Sequence, residues 1–178
     1  MGIEIERKFT VKELPADLDK YPCNRIEQAY LNVRPAIRVR RQDDIYYMTY
    51  KAEKNSSAAS DIGQTEYNMP LDAASYEHVA AKADGNVIRK NRYLIPLNSD
   101  GFNETYLKDN PELAKAIKTG DIKIELDVFD APFDGRILAE VEFLSEDDAR
   151  NYTPASWFNE DVTGNPLYSN AHMSTENI

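Results

Sequence analysis

Alternation of apolar and charged side chains at a two-residue period runs through this chain and restricts it to strands with two chemically different faces. In Ile3-Glu4-Ile5-Glu6-Arg7-Lys8-Phe9, that period sets Glu4, Glu6 and Lys8 on one face and Ile3, Ile5 and Phe9 mainly on the other. Two carboxylates one pleat apart lie about 6.8 Å from each other along the strand and repel by roughly 2 kcal/mol at an effective dielectric of about 20. A bound cation would remove that cost.

Other runs repeat the pattern. Arg38 and Arg40 share a face opposite Ile37 and Val39, Lys90 and Arg92 share another, and Lys51 adds a single cation. Glu125 and Asp127 stand opposite Ile124, Leu126 and Val128, and Glu140 and Glu142 stand opposite Ala139, Val141 and Phe143. Any one such strand suits an antiparallel sheet with one face in the core and one in water. Taken together they segregate the signs, whereas cross-strand pairing favours opposite charges side by side. Clustered carboxylates bind hard divalent cations, and clustered Arg and Lys match the oxygens of a phosphate chain. A polyphosphate with Mg²⁺ or Mn²⁺ would neutralise both sets. A barrel with solvated charges, or a binder of another small anion, is the competing reading.

The 178 residues, 42 % apolar and 29 % charged, suit one globular domain spanning 1–178. A formal charge of −10 argues against a broad nucleic-acid surface. No apolar span or signal peptide is evident, so no membrane partner is expected. Cys23 is the only cysteine, which excludes an intramolecular disulfide and a thiol zinc site and suits a reducing cytoplasm. A homodimer is compatible with the sequence.

Residues 12–25 carry Pro15 and Pro22 and read as a connection, followed by strands over 28–33, 36–42 and 45–52 with a hairpin turn at Asp43-Asp44. Residues 53–63 read as a mobile loop, and 64–69 as a strand ended by Pro70. Asp72 caps a helix in which Tyr76, Val79, Ala80 and Ala83 share a face, closing near Gly85. A strand at 87–97 precedes a helical insertion at 102–120, marked by Asn110-Pro111 and Gly120. Strands at 122–129 and 137–143 follow, then a capping box at Ser145 and Asp148 and a tail of short helices or turns over 154–178. The fold class is α+β, mainly antiparallel β: an eight-stranded closed β-barrel with helices packed outside.

The residues resemble those of the CYTH superfamily, the triphosphate tunnel metalloenzymes. The resemblance rests on Glu4-Ile5-Glu6-Arg7-Lys8, Arg38-Val39-Arg40, Lys51, Glu66, Lys90-Asn91-Arg92-Tyr93, Glu125-Leu126-Asp127-Val128-Phe129 and Ala139-Glu140-Val141-Glu142-Phe143. Trp157-Phe158 through Asp161-Val162-Thr163, with Tyr168 and Asn170, is similar to the ending of bacterial members. The family fold implies that the charged faces line a tunnel and the apolar faces pack beneath outer helices. Family activities imply a triphosphate substrate and a divalent metal.

Carried onto this sequence, the resemblance implies that Lys8, Arg38, Arg40, Lys51, Lys90 and Arg92 grip the phosphates. It implies that Glu4, Glu6 and Glu142 hold a bridging metal, while Asp127 and Glu140 hold a second metal or orient the attacking water. Glu125 is a weaker candidate. Tyr30 follows Gln28 at period two; a packed tyrosine is the leading reading, and a contact with Lys90 that tunes phosphate position is the alternative. Three features depart from the family pattern: Asn68 stands where many bacterial members carry a second glutamate, no Lys or Arg follows Arg150, and the insertion at 102–120 is long.

The leading expectation is metal-dependent hydrolysis of inorganic tripolyphosphate to pyrophosphate and phosphate. ATP cyclisation to cyclic AMP by a class IV-type adenylate cyclase, thiamine triphosphate hydrolysis and non-catalytic polyphosphate or nucleotide binding are the alternatives. Trp157 is expected in the core, and His78, His172 and Cys23 in structural or solvated roles.

Overall fold

The computed structural model describes residues 2–51 and 63–178. Nine strands form its framework: β1 Gly2–Val11, β2 Cys23–Val33, β3 Ala36–Gln42, β4 Ile45–Lys51, β5 Gly63–Leu71, β6 Ile88–Pro96, β7 Lys123–Phe129, β8 Ile137–Glu142 and β9 Phe158–Asp161. Five helices are interspersed: α1 Ala73–Ala80, α2 Glu104–Asp109, α3 Pro111–Thr119, α4 Glu146–Asn151 and α5 Asn170–Thr175. The sheet order is β5-β4-β3-β2-β6-β7-β8-β1-β9, and all its described pairings are antiparallel. β1 divides its pairing: Gly2 to Ile5 lie against β5, Glu6 to Thr10 against β8, and Phe9 and Val11 against β9.

Local chemistry fixes the turns and helix ends. Asp43 takes a positive φ of 51° at the β3–β4 hairpin, and its carboxylate accepts from Arg25 N and Asn24 Nδ2, pinning the turn to β2. The Asp72 carboxylate accepts from Ser75 N and caps α1. Gly120 closes α3 at φ 78°, where a side chain would be strained. Ser145 Oγ accepts from Asp148 N and donates to the Asp148 carboxylate, a local variant of the capping box.

The outward apolar faces pack beneath these helices. Phe9, Leu113, Leu126, Val141 and Phe158 belong to the largest core, where Phe9 and Phe158 stack at 4.5 Å. Truncating Phe9 to alanine would cost about 3–5 kcal/mol. Trp157 packs against this core, as expected. Under α1, Tyr76 packs with Ala29 and Val39. A third cluster contains Tyr30, Ile88, Phe129, Leu138 and Met173, the last from α5.

Three expectations change, and a fourth falls largely outside the described residues. The sheet has nine strands rather than eight, because Phe158–Asp161 pairs with the end of β1 instead of joining a helical tail. β2 begins at Cys23, five residues early, because 23–27 pair with β6. Pro70 does not end β5; it pairs with Tyr47, in a stretch where β5 has β4 alone beside it and a missing N–H is tolerated. The loop expected at 53–63 lies outside the described residues except Gly63, which opens β5. Among the described residues no helix is long and apolar enough to cross a membrane.

Candidate active site

Strand register assembles the charged faces around a cavity of about 610 Å³. β1 supplies Glu4, Glu6 and Lys8, β3 Arg38 and Arg40, β4 Lys51, β6 Arg92, and β8 Glu140 and Glu142; all line it, as does Tyr30 from β2. Lys90 and Asp127 are brought into the same charge network but stay behind the wall, each 0 % exposed and absent from the lining. Lys90 donates to Asp127, and Tyr30 Oη accepts from Arg38 at 3.3 Å, so the lysine–tyrosine contact is not made and Tyr30 is the packed tyrosine that was the leading expectation, buried in a core cluster.

Arg92 is the hub on one side. Its Nε and Nη2 reach the two Asp127 oxygens at 2.7 Å each, Nη2 also reaches Glu140 at 2.6 Å, and Nη1 meets Glu125. Lys8 pairs with Glu140 at 2.8 Å and with Glu6 at 3.8 Å. Burial opposes these charges, yet Lys8 and Arg92 outweigh it and hold the Glu140 carboxyl well below the ordinary range. Asp127 is likewise held low against burial by Arg92 and Lys90. Lys90 behaves oppositely: burial and then the Arg92 charge push its ammonium down to about 8.

Arg40 is the exception among the lumen cations. Its Nε donates to Gln28 Oε1 at 3.1 Å and Nη1 to Tyr47 Oη at 3.1 Å, both neutral acceptors. Among the described residues no carboxylate forms an ion pair with it, although Glu66 feels its charge, and burial together with the Arg38 and Arg92 charges pushes its guanidinium pKa down. Arg38 is held by Tyr30 and by Glu66 at 3.7 Å.

The acidic side carries the opposite imbalance. Glu6 and Glu142 face each other directly across β1 and β8, a repulsive pairing. Burial pushes Glu142 upward, with Glu125, Glu6 and Glu66 adding to it. Burial also raises Glu4 to about 7; Lys51, its ion-pair partner, opposes the shift, and Glu6 and Glu66 reinforce it. Lys51 itself is held charged by Glu6 and Glu4 despite burial, so the carboxylate is the partner that yields its charge. Glu66 Oε2 is buried without a hydrogen bond among the described residues. These all-oxygen groups, crowded and partly uncompensated, fit a hard divalent cation in donor chemistry. Among the described residues no three of them are yet gathered around one ion-sized point, and Lys51 occupies Glu4.

The other wall comes from the tail. Thr163, Asn165, Ser169 and His172 line the cavity beside Arg34 of the β2–β3 turn. Asp161 anchors this wall: it accepts from Arg7 at 2.6 Å and from Thr163 Oγ1 at 2.5 Å, while Thr163 Oγ1 accepts the Lys8 N–H at 3.0 Å. Val162 N completes the grip on the Lys8 carbonyl at 2.9 Å. Sequence reading missed Thr49, which lines the cavity, and Gln28, buried behind the lining in contact with Arg40, although Gln28 stood two residues before Tyr30. Of the neutral tail residues, Val162, Thr163 and Asn170 were marked only by the family resemblance, and Asn165 and Ser169 gave no signal.

An inorganic triphosphatase of Nitrosomonas europaea is 31 % identical over 175 residues, 96 % of each chain. The chain belongs to the CYTH superfamily of triphosphate tunnel metalloenzymes. A solved structure of the inorganic triphosphatase NE1496 superposes with a TM-score of 0.64 at 30 % identity, covering 99 % of this chain and 97 % of that one. Two more distant CYTH-like folds match at a TM-score of 0.52. One is the PH1012 protein of Pyrococcus horikoshii OT3, with 16 % identity over 83 % of this chain and 82 % of that one. The other is HpAC1 of Hippeastrum, with 13 % identity over 88 % and 92 %. At those identities they speak for the fold alone. No family model matches the chain.

Proposed function

We propose that this CYTH chain is a divalent-metal-dependent triphosphatase that hydrolyses inorganic tripolyphosphate to pyrophosphate and phosphate. The strands β5-β4-β3-β2-β6-β7-β8-β1 form its tunnel, a closed eight-stranded barrel to which β9 is appended; the pairing of β1 with both β8 and β5 supports that closure. The observation that carries the function is Arg40, a buried guanidinium with only neutral hydrogen-bond partners beside two further arginines. A buried charge without a counter-ion is costly, and a phosphate oxygen supplies what the protein withholds.

Arg38 and Arg40 from one side, and Lys8, Lys51 and Arg92 from the others, would hold the phosphate chain extended for in-line attack. Glu4, Glu6 and Glu142 would hold Mg²⁺ or Mn²⁺, which when bound screens charge building up on the phosphoryl oxygens. Glu140, kept ionised by Lys8 and Arg92, can accept a hydrogen bond from the attacking water and orient it. Asp127 and Lys90 act from behind: Asp127 fixes two nitrogens of Arg92, and Lys90 shares that carboxylate. Tyr30 would steady Arg38.

Among the described lining residues Tyr30 and His172 are the only aromatic rings, and the tail wall combines small polar groups with Val162, Pro166 and Ala171. That lining supports an inorganic chain over a nucleoside or thiazolium group, each of which favours an aromatic face. One cysteine, exposed, suits a reducing compartment such as the cytoplasm. Anion-exchange separation of the products from tripolyphosphate, ATP and thiamine triphosphate, with each metal in turn, tests the proposal. Pyrophosphate and phosphate from tripolyphosphate at the highest kcat/KM support it. Cyclic AMP as the main product, or turnover confined to an organic triphosphate, would overturn it.

A further inference from the structure

Gln28 lies on β2 opposite Arg40 and is 0 % exposed. Its Oε1 accepts from Arg40 Nε at 3.1 Å, which fixes the orientation of the amide, while Nε2 has no partner among the described residues. A buried donor without an acceptor destabilises the fold, and an apolar side chain of the same shape would avoid it. Among the described residues the one side-chain hydrogen bond of this carboxamide is with the guanidinium. The other acceptor on Arg40, Tyr47 Oη, is neutral too and is tied to Gln42 Oε1 at 3.4 Å. By contrast Arg92, on the neighbouring strand, meets Glu125, Asp127 and Glu140. Of the three buried arginines at the cavity, Arg92 is thus saturated by carboxylates and Arg40 is oriented by neutral groups.

We infer that Gln28 is a positioning residue whose lack of charge is its contribution: it aims Arg40 without neutralising it, leaving that guanidinium for the phosphate chain. The inference rests on the tripolyphosphate reading above. A glutamate in its place would keep the hydrogen bond to Nε, stay ionised against the guanidinium and fill the seat from within the protein. A methionine would lose the hydrogen bond and keep the charge free.

The two substitutions therefore rank in opposite orders for a charge role and for a purely structural one. The experiment is calorimetric titration of tripolyphosphate into wild type, Gln28→Glu and Gln28→Met without metal, with steady-state kinetics in Mg²⁺ and thermal melts of all three. Gln28→Glu is expected to melt at or above wild type yet bind tripolyphosphate about tenfold or more weakly, mainly through KM, as one added charge near the ligand implies. Gln28→Met is expected to lose less than about threefold in affinity despite a truncated hydrogen bond. Equal affinity in wild type and Gln28→Glu, or a greater loss in Gln28→Met than in Gln28→Glu, would overturn the inference alone. If Gln28→Glu does not fold, the Met variant decides: a loss of about tenfold or more in affinity overturns it. A wild-type protein that binds no tripolyphosphate would overturn the substrate reading and this role with it.

Discussion

Arg40 and Arg92 are equally buried, each 9 % exposed, and replacing each with methionine should move stability in different directions. Removing Arg92 strips one counter-charge from each of three carboxylates: fully buried Asp127 keeps only Lys90, Glu140 keeps Lys8, and Glu125 loses its ion-pair partner. Deleting one member of a buried ion-pair network costs about 3–5 kcal/mol, because the remaining charges are left under-compensated. For a chain of this size that corresponds to a fall in melting temperature of about 6–20 °C. Removing Arg40 forfeits two hydrogen bonds to neutral groups, about 0.5–1.5 kcal/mol each, but also relieves the desolvation of an unpaired cation and its repulsion from Arg38 and Arg92. Arg40→Met should therefore lie within about 1 kcal/mol of wild type or above it. Urea denaturation of metal-free protein at pH 8, followed by far-ultraviolet circular dichroism, measures both. Triphosphatase activity should fall steeply in both variants. If Arg40→Met is destabilised as much as Arg92→Met, Arg40 has a counter-ion that this account lacks, and the argument for an anion seat fails.

Three further outcomes are expected. Glu4 has a folded-state pKa raised from 4.5 to about 7, so its protonation favours the folded state, a contribution present below pH 4.5 and lost as pH rises through 7. Metal-free melts should fall between pH 5 and pH 8 by on the order of 2–3 kcal/mol of stability, and Glu4→Gln should flatten that fall; a wild-type curve that rises throughout contradicts it. Thr163→Val deprives the Lys8 N–H of its acceptor and should cost about 1–2 kcal/mol of stability, with kcat/KM reduced several-fold while Thr163→Ser stays near wild type; equal kinetics for all three would show that the tail does not position Lys8. Tyr30→Phe leaves Arg38 with Glu66 and should raise KM for tripolyphosphate without shifting the pH profile, so a shifted profile would assign Tyr30 a direct part in proton transfer.

Which face of each strand carries charge was legible because a strand has a period of two, and Glu4, Arg38, Arg40 and Glu142 line the cavity as alternation requires. Depth along the lumen was not legible. Lys90 and Arg92 alternate identically in sequence, yet Arg92 reaches the cavity, whereas Lys90 lies beside Phe129 at 5.3 Å in the region that α5 packs beneath. The helices at Asp72, Pro111 and Ser145 carried capping signals, and each formed. β9 carried none: four residues are too few for periodicity to declare a strand, and its partner on β1 lies about 150 residues away. Residue chemistry did not mark the tail wall for a related reason: Thr163 is held at the cavity through Arg7, Asp161 and the Lys8 backbone, partners far away in sequence, and only the family resemblance singled it out.

The sharpest test of a metallated triphosphate being received by opposed acidic and basic walls is the stoichiometry of tripolyphosphate cleavage with Mg²⁺ or Mn²⁺. Wild type should release equal amounts of phosphate and pyrophosphate, and the Glu4→Gln, Glu6→Gln double variant, folded and still able to bind the anion, should release neither above background. Undiminished turnover in that variant, or wild-type turnover indifferent to chelation of divalent metal, would contradict the account.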